Sequence, residues 1–409
     1  MTQNLTNFDA ALKEYYTSEE IFNLVYKNNP AFALFKKNAD FYGDSKPIVV
    51  IHGNPQGRSA SFSQAQSQAA NEYTRVKRFL LTRVQDYGVV HIDRETMLAT
   101  GSDKGAFLDA RITEINAMLS ELGNTIETDL FRAGWGDRGV IGSISTVTIT
   151  LATIEDIVNF EVGQVLQLSS SQNAAVLRDS GDSVTITAVD RTLGKITCSA
   201  DVATQITGAT AGDYIFIKGD RENSATPTRE KIAGMDAWLP STAPSGGDSF
   251  FGLDRSVDTT RLAGVRYDAS SQPIEEGIID AARLLGREGG SPDHLFVSFD
   301  KFADLEKSLG SKVNYVDLKV GDIGFRAMRI IGPTGDIKVL PARCCPSSAG
   351  YLLEKDTWAI ESLKEMPHVF NDDGLQMLRQ ASSDGYEVRF GYYGNLACRA
   401  PGRNCRITF

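Results

Sequence analysis

Apolar and polar positions alternate near the end of the chain with the period of a half-buried strand. From Tyr386 to Tyr392, large apolar side chains take every second place, and charged residues or glycine stand between them. This alternation predicts a strand over 386–398, and Pro401 then cannot donate to a ladder. Because chain ends usually fray, an apolar strand so close to the terminus predicts that this segment is built into a core.

The longest helical pattern runs over 102–133. Seven leucine and isoleucine residues recur there at steps of three and four, which predicts an amphipathic helix. Ser102 with Asp103 supplies a signal for its start, and Gly134 supplies a stop. About 30 residues at a rise of 1.5 Å predict a rod of roughly 45 Å.

A long hairpin is predicted before this helix. Residues 47–52 read as one strand, and a second β-rich run over 73–92 returns. The segment 53–71 between them is small and polar, with one charged residue (Arg58) and one large apolar residue (Phe62). We expect it to form an open, extended tip, since loops of this length without structure are usually functional or disordered.

The returning run of the hairpin is basic. Its charges are either a solvated strand face or partners for an acidic neighbouring subunit or for nucleic acid, because an arm that leaves a fold meets neighbours. The residues we predict to make inter-subunit contacts are Arg58, Phe62, Arg75, Lys77, Arg78 and Arg83.

The rest of the chain predicts an α+β fold with mostly antiparallel pairing. Residues 143–219 hold short runs rich in Thr, Val and Ile, separated by turns, which is typical of a small β-barrel. Helices are predicted over 274–285 and 299–309, with a strand over 294–298 between them. Aromatic residues in 1–45 are too few for a separate core, so they should lie on another part of the molecule or on a neighbour.

Composition narrows the class of protein. A chain of 409 residues has room for two or three cores, and its net charge of −10 argues against a sequence-specific nucleic-acid binder with a basic footprint. No apolar run approaches the roughly 18 residues of a membrane span. No secretory signal opens the chain, so we expect synthesis in a cytoplasm, where the five cysteines stay free and mostly buried.

Catalytic motifs are missing from the sequence. It has no GxxxxGK[ST] loop, no HExxH and no GxSxG, and its four histidines are scattered. His52 and His91 could face each other across the hairpin base, although structural histidines are the simpler interpretation. Segments 179–182 and 371–374 resemble parts of calcium loops without the closing glutamate, so we interpret both as turns. We therefore predict no catalytic residue, metal or cofactor.

Four segments carry a family resemblance: 234–240 (GMDAWLP), 276–283 leading to 292–298, 378–390, and 393–401. With the order of the predicted elements, they resemble the major capsid proteins of tailed bacteriophages, whose coat fold is shared with herpesviruses and encapsulin shells. The resemblance implies an N-terminal arm, an extended loop, a long spine helix, and peripheral and axial domains. The β-rich block departs from this minimal fold and looks like an inserted small β-barrel-like domain.

The resemblance also implies boundaries along the chain. These are an arm (1–45), an extended loop (46–95), the spine helix with part of the peripheral domain (96–142), the insertion (143–219), the peripheral domain with a connecting loop (220–290), the axial domain (291–350) and closing C-terminal strands (351–409). Some members of the family join subunits covalently through a lysine in the extended loop. Segment 53–71 has no lysine, so we do not expect that bond here.

The function implied is that of a virion protein without cofactor or membrane contact. Pentamers and hexamers of the chain would enclose double-stranded DNA in an icosahedral shell, with scaffolding, portal and decoration proteins as partners. One alternative is an encapsulin-like shell, which nucleic acid in purified particles would distinguish. A soluble enzyme with an unrecognised site is another, and it predicts a small discrete oligomer. A tail or adhesion protein would need a fibrous repeat, which the sequence lacks.

Overall fold

The computed structural model describes residues 29–71, 73–95, 98, 110–309, 315–320, 323–370, 378–380 and 383–409. Within this part, the helices are α1 (Pro30–Leu34), α2 (Phe62–Asn71), α3 (Ala110–Phe131), α4 (Val202–Gln205), α5 (Met235–Trp238), α6 (Ile274–Arg287) and α7 (Phe299–Leu309). The strands are β1 (Lys36–Asn38), β2 (Ser45–Gly53), β3 (Arg75–Thr82), β4 (Val84–Asp93), β5 (Asp137–Ser145), β6 (Thr148–Leu151), β7 (Val165–Ser169), β8 (Val184–Asp190), β9 (Lys195–Cys198), β10 (Tyr214–Ile217), β11 (Ser249–Phe250), β12 (Leu253–Asp254), β13 (Val265–Asp268), β14 (His294–Val297), β15 (Tyr315–Val320), β16 (Ile323–Gly332), β17 (Gly335–Pro341), β18 (Ala349–Leu353), β19 (Trp358–Ser362), β20 (His368–Val369), β21 (Leu378–Arg379), β22 (Gly385–Cys398) and β23 (Cys405–Thr408).

The predicted long helix is confirmed over its described part, α3. It lies across one face of a sheet ordered β1-β19-β22-β20, in which β4 and β21 also pair with β22. Leu122 is buried in one cluster with Val90 of β4 and Phe390 of β22. A Cβ on Gly88 would lie 2.6 Å from the Met118 sulfur, so glycine at this position allows the close approach of helix and sheet. The predicted helix start at 102–103 lies outside the described residues.

The C-terminal segment is built into two sheets, as its pattern predicts. Strand β22 buries Val388, Phe390 and Tyr392, while Arg389 between them is exposed. After a turn at Pro401–Arg403, β23 enters a second sheet ordered β13-β23-β18-β14-β17-β16-β15. There it pairs parallel to β13 and antiparallel to β18. The chain end therefore joins the two main cores.

Helices α6 and α7 pack on the seven-stranded sheet, which confirms both predicted helices. Ile278, Leu285 and Leu305 from the helices share a buried cluster with Leu295 and Val339 from the strands. Among the described strands, parallel pairing is limited to β1 with β19, β13 with β23 and β14 with β17. The α+β class with mostly antiparallel pairing is thus confirmed.

The predicted β-barrel is also present. Six strands close in the order β10-β5-β6-β9-β8-β7 around an apolar interior that includes Ile149, Phe160 and Ile215. Strand β5 begins at Asp137, so the first strand starts N-terminal to the β-rich block recognised in the sequence. Glycines at 139 and 142 shorten the apolar run of β5, and this hides its strand character from a pattern search.

The described part of the N-terminal segment lies on the chain's own body. The Glu127 carboxylate of α3 accepts the backbone N–H groups of Ala31 and Phe32 at 3.0 and 2.7 Å, at the start of α1. Phe35 stacks on Trp358 with ring centroids 5.8 Å apart. Residues 29–38 are therefore held by both polar and aromatic contacts, and residues 1–28 lie outside the described part.

The predicted hairpin is wrong in two respects. The returning run is two strands in different sheets, since β3 pairs with β2 but β4 pairs with β22 along its whole length. The tip is not open and extended throughout, because residues 62–71 form helix α2. Its alanines and glutamines favour a helix locally without an apolar stripe, and the search for periodicity therefore missed it.

Two smaller predictions were tested by the same structure. His52 lies on β2 and His91 on β4, opposite Glu387, so the two histidines do not face each other, and that less favoured possibility is excluded. All five cysteines are free and buried, as predicted. Residues 178–181 form a short 3-10 turn, in keeping with the turn predicted over 179–182, whereas 371–374 lies outside the described residues.

Candidate subunit interface

The β2–β3 hairpin has one buried face and one exposed apolar face. Ile48 and Phe79 lie opposite each other and are buried in the main core. On the other face, Val49, Ile51 and Val76 are 61%, 61% and 50% exposed. Ile51 and Val76 lie opposite each other across the two strands, so they form one continuous surface. This surface is a candidate for contact with another macromolecule.

An aromatic cluster holds the base of the hairpin on the body. The Phe79 ring meets Trp238 edge-on at 5.0 Å, and Trp238 in turn meets Phe250 at 4.9 Å. The Trp238 indole N–H donates to the Leu396 carbonyl at 3.0 Å. The Leu80 N–H donates to the Phe251 carbonyl at 2.9 Å, which ties β3 to the turn between β11 and β12. The inner face of the hairpin is therefore packed on the body of the subunit.

Two arginines clamp the loop that meets this base. The Arg255 guanidinium lies 4.2 Å from the Phe250 ring and donates to Asp248 at 2.7 Å. The Arg229 guanidinium stacks over Trp135 at 4.3 Å, and burial lowers the Arg229 pKa to about 10. Both cations lie against aromatic faces, where they are stabilised as they lose water. The loop is thus fixed relative to the hairpin.

Five of the six predicted contact residues are exposed on the hairpin or its tip: Arg58, Phe62, Arg75, Lys77 and Arg78. Phe62 opens helix α2 and is 83% exposed. Arg83 differs, because it is half-buried and donates to the Phe41 carbonyl at 3.2 Å and to that of Gly43. Its guanidinium also lies 4.9 Å from the Phe41 ring. Arg83 thus joins the hairpin to its own body, and its predicted role between subunits stays untested.

A polar groove of about 580 Å³ lies where β2 and β3 meet the tip segment. Its walls include His52 and Arg75 from the strands, Arg58 from the tip and Arg261 from a distant loop. The Arg261 guanidinium donates to the His52 carbonyl at 2.7 Å. Sequence reasoning singled out Arg58 and Arg75 but missed Arg261, because no local signal relates residues some 200 positions apart.

Buried ion pairs fix the barrel to the body. Arg138, at the chain's entry into the barrel, pairs with Asp129 of α3 at 2.9 Å and with Asp220, at its exit, at 3.3 Å. Lys231 bridges Asp220 and Asp86 of β4 at 2.9 and 2.8 Å. Burial raises the Asp129 pKa to about 6, against the opposing charge of Arg138. Removing one partner of such a network leaves an uncompensated buried charge, which is strongly destabilising.

The described part of the chain has neither a metal-binding cluster nor a membrane-spanning helix. No group of three or more His, Cys, Asp or Glu side chains is placed there to hold a metal ion. Among the same residues, no helix is both long and apolar enough to cross a membrane.

Comparison with known proteins concerns the family and the fold. The family model of the SU10 major capsid protein matches residues 209–388, somewhat less than half of the chain. The cyanophage A-1(L) capsid subunit superposes with a TM-score of 0.51 at 12% identity, over 97% of this chain and 96% of that chain. Among curated proteins, none matches the sequence.

Weaker structural likenesses extend over the whole chain. The capsid of an empty GTA particle gives a TM-score of 0.49 at 10% identity, covering 97% of this chain and 95% of that chain. An encapsulin from Synechococcus elongatus gives 0.47 at 8% identity, covering 100% and 95%.

The fold is therefore that of a tailed-phage capsid subunit, with a closed barrel inserted into it. Residues 209–388 are similar to the SU10 major capsid protein family, and the fold of the chain is that of a phage capsid subunit.

Proposed function

We propose that the chain assembles as pentamers and hexamers into an icosahedral shell around double-stranded DNA. The observation that carries the proposal is the exposed apolar face of the β2–β3 hairpin, formed by Val49, Ile51 and Val76. Such a face needs a partner to remove it from water. In a shell, the partner is the next copy of the chain, because each subunit both gives and receives the same contact.

Charge supports the same arrangement. The hairpin and its tip carry Arg58, Arg75, Lys77 and Arg78, whereas the whole chain has 52 acidic and 42 basic residues. A basic hairpin on an acidic subunit meets complementary charge wherever it lies on a neighbour, and this complementarity fixes orientation and speeds encounter. Contact with packaged DNA needs no base recognition, so a net acidic chain remains compatible with it.

The finer layout follows from this proposal. Residues 46–82 act as the extended loop over a neighbour, whereas β4 stays in the sheet of its own subunit. Residues 96–142 and 220–264 act as the peripheral domain. The seven-stranded sheet with α6 and α7 acts as the axial domain around the symmetry axes. Scaffolding, portal and decoration proteins are the further partners, and synthesis takes place in the host cytoplasm. The role is structural and requires no catalytic residue.

Sedimentation velocity of the expressed full-length chain, with absorbance at 260 and 280 nm, tests the proposal. Shells or ring-shaped capsomers are expected, alone or after addition of the phage's own scaffolding protein. A small discrete oligomer under all these conditions would contradict the proposal and favour a soluble enzyme. Particles that carry protein cargo and exclude nucleic acid in the infected host would favour an encapsulin-like compartment.

A further inference from the structure

We infer that Glu127 is a pH-sensitive latch, which holds helix α1 on helix α3 while its carboxyl group is protonated and loosens α1 when that group ionises. Glu127 lies on α3 and is only 1% exposed. Helix α1 is the first element of the described chain, so the latch sets how firmly the N-terminal segment joins the body. The inference concerns the single subunit and does not depend on how subunits assemble.

The first argument is that Glu127 supplies the cap that α1 does not provide for itself. The first N–H groups of a helix have no partner within the helix. Asn29 at the N-cap makes no capping hydrogen bond through its side chain, and Pro30 has no N–H to donate. The two oxygens of Glu127 accept the N–H groups of Ala31 and Phe32 instead, at 3.0 and 2.7 Å. One carboxyl group therefore makes both bonds that close the start of α1.

The second argument is the free energy of burying this charge. Removing an ionised carboxylate from water is costly, and the cost falls when the group takes up a proton. Burial raises the Glu127 pKa to about 7, and the two N–H bonds and the charge of Arg343 offset only part of this effect. When α1 leaves, water reaches the carboxyl group, and its pKa returns towards 4.5. The docked helix therefore holds the proton more tightly than the open one.

The other charged and titratable groups near Glu127 do not compete with it. Arg343 supplies a positive charge, and the thiols of Cys344 and Cys345 feel the charge of Glu127 in turn. Burial raises the pKa of both thiols above the usual 9.0, so neither loses its proton between pH 5 and pH 8. Helix α1 carries no charged residue, and the Lys37 amine of β1 lies over an aromatic ring of α1, 3.9 Å from its centroid. Glu127 is thus the acid that titrates at this contact.

A separate anchor beyond α1 allows the helix to open by itself. Phe35 follows α1 in an extended conformation. Its ring stacks on Trp358 at 5.8 Å and meets Phe296 edge-on at 6.2 Å, and β1 then pairs with β19. Helix α1 has only five residues and lies outside both main sheets, so it can leave without breaking a strand pairing. Short segments of this kind open locally at less cost than the whole fold.

The direction of the pH effect follows from the tighter proton of the docked form. This contribution to docking is fully present below about pH 4.5 and is lost as pH rises through about 7. Between pH 5 and pH 8, the equilibrium constant for opening α1 should therefore rise roughly seventyfold. Acid thus tightens the hold of the body on the N-terminal segment, and mild alkali loosens it.

Hydrogen exchange of the full-length chain as free subunits, read by mass spectrometry at pH 5 and pH 8, tests the latch. After correction for the chemical exchange rate, we expect the protection of amides 31–35 to fall roughly seventyfold from pH 5 to pH 8 in the wild type. Glu127→Gln keeps the shape and one acceptor oxygen but cannot ionise, so its protection there should not change with pH. Glu114→Gln, at a half-buried position on the same helix, is the matched control and should behave as the wild type does.

The amides of β18 in the same samples report the opening of the whole subunit. We expect them to be protected roughly tenfold or more above amides 31–35 at both pH values, because α1 opens locally. Equal protection of the two segments would overturn the inference, since α1 would then open only with the whole fold. Protection of 31–35 that does not change with pH in the wild type would also overturn it, and so would an equal change in Glu127→Gln.

Discussion

Replacing Val49 by aspartate is expected to block shell assembly while the subunit stays folded. Val49 is 61% exposed on the outer face of the hairpin, and its neighbours Ile51 and Val76 extend the same apolar surface. In the strand register it lies opposite Arg78, so the new carboxylate gains an opposite charge within the subunit. The substitution therefore removes apolar contact with a partner and leaves the buried face of the hairpin untouched.

The expected loss of assembly free energy follows from the exposed fraction of the Val49 side chain. Full burial of a valine side chain stabilises by about 1.5–3 kcal/mol, so covering the exposed 61% is worth about 1 kcal/mol. Placing a carboxylate in that contact costs about 2 kcal/mol more, since it loses water without a partner across the interface. A total of about 3 kcal/mol raises the subunit concentration for half-assembly more than a hundredfold. The cross-strand pair with Arg78 offsets less than about 1 kcal/mol of any loss within the subunit.

Light scattering against protein concentration measures assembly, and urea unfolding followed by circular dichroism measures subunit stability. Val162→Asp is the matched control, because Val162 is 62% exposed in a turn of the barrel, away from the hairpin. We expect the control to assemble as the wild type does. Assembly of Val49→Asp at the wild-type concentration, or an equal defect in both variants, would refute the reasoning.

Three further predictions concern folding. Asn404→Ala should lower the free energy of unfolding by about 3–5 kcal/mol, because the buried amide accepts from Glu354 N and Trp358 Nε1 and donates to the Ala400 carbonyl, each at 2.9 Å. Urea unfolding of this variant is compared with that of the exposed control Asn173→Ala, and equal unfolding midpoints would contradict the prediction. Burial raises the Glu127 pKa to about 7 from 4.5, so the folded chain holds the proton more tightly than the unfolded chain. The contribution of Glu127 to the free energy of unfolding should therefore fall by about 3 kcal/mol as pH rises from 4.5 to 7. The difference in unfolding free energy between the wild type and Glu127→Gln should follow that slope, and a difference that does not change with pH would refute the prediction. A chain that lacks residues 386–409 should fail to fold, since β22 and β23 are inner strands of the two main sheets; a soluble, monodisperse truncated chain would contradict this.

Much of the fold is predictable because the apolar residues of its long strands and helices recur at regular intervals in the sequence. The strand over 386–398 and the amphipathic helix over the described part of 102–133 bury their apolar residues on one side, and their periods reveal this. Helix α2 has no such signal. After Phe62 its residues are alanine, serine, glutamine and asparagine, so only weak helix propensity and the hydrogen bonds of Gln68 mark it.

The candidate site is less predictable, because contacts distant in sequence create it. The basic run from Arg75 to Arg83 looks uniform in the sequence, yet Arg83 turns back to the Phe41 and Gly43 carbonyls while Arg75 lines the groove. At Arg83 the chain leaves the sheet of β2 and β3, and β4 then joins the sheet of β22. No local residue pattern indicates this change. Arg261 reaches the groove only because the aromatic cluster around Trp238 places its loop beside the hairpin.

Electron cryo-microscopy of particles assembled from the full-length chain tests the central claim most directly. We predict closed shells built of five- and six-fold capsomers, in which β2 and β3 of each subunit lie on an adjacent copy and Val49, Ile51 and Val76 are buried. Particles in which that face of the hairpin stays in solvent, or a chain that forms no shell even with its scaffolding protein, would contradict the account.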